Sequence, residues 1–160
     1  MQSIEQVVNV LGKHGLRLCT AESCTAGLIA ALVADIPGSG AVLDCGFVTY
    51  SEQAKQRCLG VDPQTIERFG LTSEEVAREM ALGALKCSDA DIALANTGLA
   101  EADGEMDGVQ CIACAMRLDG HESAVSETVR FMGERNQVRL DAARYALLQL
   151  PYYYERLRST

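Results

Sequence analysis

The sequence predicts one α/β domain, a mixed sheet layered between helices in an α/β/α arrangement that spans residues 1–160. Strand-like and helix-like segments alternate through the first hundred residues, the usual sign of a sheet covered by helices. Two further strand-like runs then follow each other closely, as in an antiparallel hairpin. No repeat, low-complexity tract or linker interrupts the 160 residues, a length that suits a single core.

Ser3 and Gln6 form a capping box for a first helix, with Ile4, Val7, Val8 and Leu11 on one face and Gly15 as its stop. Leu16–Ala21 alternates as a strand, and the alanine-rich Cys24–Asp35 predicts a helix buried on most sides. Ile36–Gly40 breaks that helix, Gly46–Tyr50 reads as a second strand, and Ser51 caps the short helix after it. Asp62-Pro63 opens a helix ending near Gly70, and Thr72 with Glu75 predicts a capping box for the next. Ala90–Gly98 predicts a buried strand leading to an acidic loop, Leu99–Gly108. "VQCIACAMRL" and "SAVSETVRF" predict strands joined through "DGHE", and a last helix is expected from Glu134 to a stop at Pro151.

A hydrophobic fraction of 48% and a charged fraction of 22% suit a soluble globular chain. The net charge of -8 argues against nucleic acid as a partner, since phosphate backbones need a basic footprint. No apolar run approaches the length of a membrane span, and the first residues lack the pattern of a secretory leader. Seven scattered cysteines fit free thiols in a reducing compartment, so a cytoplasmic protein is expected. The Cys111–Cys114 spacing suggests redox or metal chemistry, but within a strand residues three apart face opposite sides, and no second ligand pair is visible. These are read as core thiols, and no metal site is expected.

Thr20–Leu28, "TAESCTAGL", places Ser23, Cys24 and Thr25 between a strand and a helix. A serine or cysteine nucleophile usually needs an imidazole, yet the two histidines, His14 and His121, fall at a helix end and a hairpin turn. Of the three lysines, only Lys55 lies one helical turn beyond a strand, the one ending at Tyr50. If both strands are parallel neighbours, Ser23, Tyr50 and Lys55 converge at their carboxyl ends, where open α/β sheets form their active crevice. A lysine buried there would lose solvation, its pKa would fall, and the neutral amine could take the serine proton. The ordinary alternatives are a Ser23 cap, a rim tyrosine and a solvated lysine.

Three runs, "TAESCTAGLIAALVADIPGSGAV", "GFVTYSEQAK" and "TSEEVAREMALGALKCSDADIALANTG", resemble the C-terminal domain of the CinA family, which also occurs as stand-alone nicotinamide-nucleotide amidases. The likeness runs from about Leu16 to the last helix. It implies a compact α/β fold and hydrolysis of the carboxamide of nicotinamide mononucleotide, a small pyridine nucleotide, without metal or cofactor. It places the nucleophile on Ser23 and its base on Lys55, aided by Tyr50. The amides of Cys24, Thr25 and Ala26 are implied as oxyanion donors, with Gly27, Thr97 and Gly98 also lining the substrate. "FMGERNQVRL" resembles the family's last-helix run and makes Arg135 and Arg139 candidates for an anionic ligand. With the aromatic "PYYYERL" segment, the resemblance also implies a homo-oligomer.

Some positions depart from the family pattern. Ala26 replaces a glycine, which matters where the backbone needs a positive φ. Glu52 and Gln53 stand beside the site. The loop after Gly98 is shorter, lacks the usual glycine-proline, and carries Glu101, Asp103, Glu105 and Asp107. Carboxylates near a phosphorylated ligand would repel it.

Overall fold

A computed structural model describes residues 2–160, and its elements follow the predicted order. They are α1 (Ile4–Lys13), β1 (Leu18–Glu22), α2 (Leu28–Ala34), β2 (Leu43–Val48), α3 (Glu52–Leu59), α4 (Pro63–Phe69), α5 (Glu74–Lys86), β3 (Ile92–Gly98), β4 (Val109–Leu118), β5 (His121–Arg130) and α6 (Arg135–Arg158). The five strands lie in the order β2-β1-β3-β4-β5. β1 runs parallel to β2 and β3, and β3, β4 and β5 are successively antiparallel, so the sheet is mixed as predicted.

The sheet separates two cores. Leu18, Ile92, Leu94, Ile112 and Met116 point to the layer of α1, α2 and α6. Their neighbours Cys19, Ala93, Ala95, Ala113 and Ala115 point to α5. This is the period-two alternation of a strand, with large side chains on one face and small ones on the other. Cys111 and Cys114 fall in opposite cores, as their spacing requires. The small face lets α5 lie close to the sheet, and Gly83 lets it approach α3. A Cβ at Gly83 would stand 1.9 Å from the Leu59 carbonyl oxygen. Gly83→Ala is therefore expected to destabilise the fold by about 1–3 kcal/mol, seen as a lower urea midpoint. An unchanged midpoint would show that α3 yields without cost.

Three local expectations are corrected. α5 is capped by Ser73, whose hydroxyl accepts from Val76 N–H, and not by Thr72. α2 starts at Leu28, not Cys24, and buries only Ile29 and Val33. α6 does not stop at Pro151 but continues to Arg158. A proline inside a helix costs about 3 kcal/mol. Beyond it, however, Tyr153 and Leu157 continue the buried stripe of Leu147 and Leu150, and the Tyr153 hydroxyl donates to Glu127. Burying two large side chains, at roughly 1.5–3 kcal/mol each, offsets the interruption.

Candidate active site

Parallel pairing of β1 and β2 in register brings their carboxyl ends together, with Glu22 beside Val48. The next residue on β1's side is Ser23, and Ser51 on the other caps α3, whose first turn carries Lys55. Lys55 is almost wholly buried, at 1% exposure. Its Nζ lies 2.9 Å from Ser23 Oγ, 2.9 Å from the Thr49 carbonyl and 3.2 Å from the Tyr50 carbonyl. Burial lowers its pKa below the ordinary lysine value, against a smaller opposing pull from Glu52. In the neutral amine two N–H bonds suffice for the two carbonyls. Its lone pair would then face Ser23 Oγ, an arrangement in which a neutral amine can accept a hydroxyl proton.

The turn holding Ser23 is built on a buried anion. Glu22, with 0% exposure, ends β1. Its carboxylate accepts from the hydroxyls of Thr20 and Thr25 and from the backbone N–H groups of Gly27, Ile29 and Ala30. It thus satisfies amides at the start of α2 that would otherwise lack acceptors. Residues 23–27 wind tightly over it, with Ala26 at φ 48° and Gly27 at φ 99°. For an alanine that conformation costs roughly 1–2 kcal/mol, so Ala26 stands where the resembled pattern has a glycine and the backbone does ask for one.

β3 and α6 fix the same turn from other sides. The Asn96 carbonyl accepts from Ser23 N–H at 3.0 Å, and its side-chain oxygen accepts from Thr25 N–H at 3.0 Å. Asn96 Nδ2 donates to Gln110 Oε1, and Gln110 Nε2 reaches Cys24 Sγ at 3.5 Å. Arg139 of α6 donates to the carbonyls of Cys24 and Thr25, at 2.8 and 3.4 Å.

These bonds sort the site residues. Ser23 and Lys55 meet directly. Tyr50 reaches Lys55 through its carbonyl, while its exposed phenol accepts a bond from Arg135 at 3.1 Å. The amides of Thr25, Ala26 and Gly27 are engaged by Asn96, Ser23 and Glu22, so Thr25 and Ala26 offer no free oxyanion donor. Among the described residues the Cys24 amide has no internal acceptor. Ser23, Cys24, Lys55, Thr97, Gly98 and Arg135 line a cavity of about 210 Å³. Arg139 is not on its wall, because its guanidinium is spent on the turn. Glu22, Asn96 and Gln110 did not stand out from the sequence. The available signal was polarity itself: each is a hydrogen-bonding side chain in a strand otherwise buried on both faces.

The cavity shares Ala100, Glu101 and Arg135 with a neighbouring, larger groove of about 720 Å³. Glu101, Asp107, Glu134 and Arg135 supply its charged groups. Arg135 Nη1 lies 3.8 Å from Glu101.

The CinA C-terminal domain model matches residues 1–153. A CinA-like protein of Chlorobium phaeobacteroides is 42% identical over 98% of this chain, which spans only 38% of that relative's length. The nicotinamide-nucleotide amidohydrolase PncC of Escherichia coli is 41% identical, with 94% of this chain and 92% of that protein aligned. Among solved structures, a CinA superfamily protein of Escherichia coli superposes with a TM-score of 0.81 at 36% identity, covering 92% of this chain and 88% of that one. The competence/damage inducible protein CihA of Agrobacterium tumefaciens gives 0.86 at 36% identity, covering 96% and 99%.

Proposed function

This chain belongs to the CinA C-terminal domain family, and from that premise we propose that it is an amidohydrolase acting on the carboxamide of nicotinamide mononucleotide. The observation that carries this reading is the buried Lys55 amine, held by two carbonyls with Ser23 Oγ as its third neighbour at 2.9 Å. A lysine so placed has little structural purpose, since it costs burial of an ionisable group and forms no ion pair among the described residues.

In the proposed reaction Ser23 Oγ attacks the amide carbon as its proton passes to Lys55 Nζ. The new C–O bond leaves a tetrahedral oxyanion, which the Cys24 N–H is free to hold. Collapse breaks the C–N bond, and Lys55 returns its proton to the departing nitrogen, which leaves as ammonia. Water then attacks the acyl-Ser23 ester while Lys55 takes its proton. Breakdown frees the nicotinate product and restores the serine hydroxyl. Tyr50 contributes its carbonyl to orienting the base, and Thr97, Gly98 and Arg135 bound the substrate. Asn96, Glu22 and Arg139 keep the turn in place.

Incubating the purified protein with nicotinamide mononucleotide should release ammonia, and Ser23→Ala should lower the rate by about 10³-fold or more. No release, or release unaffected by Ser23→Ala, would overturn the reading. A second reading keeps the fold and dyad but redirects them to another amide. The carboxylates around Arg135 favour it.

A further inference from the structure

Resting on the amidase reading of the Ser23–Lys55 site, we propose that the outer groove selects a pyridinium nucleoside over its 5′-phosphate, with Glu101 as the specificity-determining residue. Size comes first. The inner cavity of about 210 Å³ falls short of the roughly 300–1,000 Å³ typical of sites that enclose a whole ligand. With the carboxamide at Ser23, the ring fills the inner space and the sugar with any phosphate extends past Ala100, Glu101 and Arg135 into the groove.

The charges there decide what can follow. Among the described residues that line the groove, Glu101, Asp107 and Glu134 stand with one cation, Arg135. That cation is already engaged: one nitrogen lies 3.8 Å from the Glu101 carboxylate and another 3.1 Å from the Tyr50 hydroxyl. Glu101 therefore sits on the guanidinium a phosphate would need. Asp107 is held in place, its carboxylate accepting from Ala102 N–H at 3.0 Å. Glu134 stands at the start of α6 and makes no capping bond with its side chain. A phosphate dianion entering must displace Glu101 and still face the other two carboxylates. A nicotinamide nucleoside brings only its ring cation, which the same carboxylates attract.

Glu101 and Arg135 are both substantially exposed, with side chains 71% and 49% accessible. Their pairing is screened by water, and its contribution is that of a surface ion pair, about fivefold at most. The test is the ratio of kcat/KM for nicotinamide mononucleotide to that for nicotinamide riboside, followed by ammonia release. At low ionic strength the ratio in the unmodified protein should lie below one and should rise with added salt as the carboxylates are screened. Glu101→Gln, a change of charge on an exposed side chain, should raise the ratio by about three- to fivefold. A ratio above one in the unmodified protein, or a ratio that neither salt nor Glu101→Gln alters, would overturn the selection. Ammonia from neither compound would instead sink the amidase reading. Binding to the Ser23→Ala protein then separates the two: tighter binding of the nucleoside supports the selection without turnover, and equal or weaker binding overturns that as well.

Discussion

Lys55→Arg should lower kcat/KM by about 10²–10⁴-fold, the usual contribution of a positioned general base. The guanidinium keeps its proton at any pH the fold survives, so it cannot accept one from Ser23 Oγ. Its bulk could also disturb a fully buried position, and Lys55→Met provides the control. Both variants should show a loss of this size, and the methionine variant should melt cooperatively at a temperature near that of the parent. Activity retained in either would remove Lys55 as the base.

The pH profile carries the same argument. Burial lowers the Lys55 pKa below its ordinary value of 10.5. Activity should rise as pH increases through that lowered value and level off before 10.5. Linkage fixes the stability trend as well. Between the folded pKa and the unfolded one, the unfolded chain holds the lysine proton and the folded chain does not. The unfolded state binds more protons there, so stability rises with pH across that window. Below the folded pKa the burden of a buried charge is fully felt. Lys55→Met should flatten this dependence, as read from urea midpoints at a series of pH values.

Glu22→Gln should cost about 3 kcal/mol of stability and abolish ammonia release. The carboxylate accepts five hydrogen bonds in a fully buried position. An amide of the same shape has one acceptor oxygen, and its NH₂ would point at donors. Hydrogen bonds to a charged group contribute roughly 1.5–3 kcal/mol each, and buried donors left without an acceptor add to the loss. Against a total stability of roughly 5–15 kcal/mol, that is a large share. Activity should suffer beyond what the lower stability explains, because the same bonds shape the turn from Ser23 to Gly27. A parental urea midpoint in Glu22→Gln would show that the carboxylate is not the anchor described above.

Much of this arrangement was legible in the residues. Ser3, Ser51 and Asp62 begin helices as their capping chemistry predicts, and the hairpin from β4 to β5 follows from its alternation and its Asp119-Gly120 turn. The meeting of Ser23 with Lys55 followed from two strand ends and the scarcity of alternative bases. What escaped was tertiary in origin. The early start expected for α2 came from apolar content, which is blind to a buried carboxylate that holds four preceding residues in a turn. The stop expected at Pro151 came from a local rule, and the burial of Tyr153 and Leu157 overrides it. The separate roles of Arg135 and Arg139 could not be told apart, since four-residue spacing puts both on one face and only packing shows which one the turn consumes.

The grip of Arg139 on the Cys24 and Thr25 carbonyls joins points 115 and 114 residues apart in the chain. Contacts of such high sequence separation form only after a large loop-closure entropy has been overcome. Local pieces such as the β4–β5 hairpin and the individual helices have no such barrier. The turn around Ser23 therefore depends on contacts that bring distant parts of the chain together, α6 as well as β3. A chain in which α6 has not docked lacks the two hydrogen bonds that Arg139 gives this turn, so Arg139→Ala is expected to loosen the turn around Ser23 while leaving the strand pairings intact.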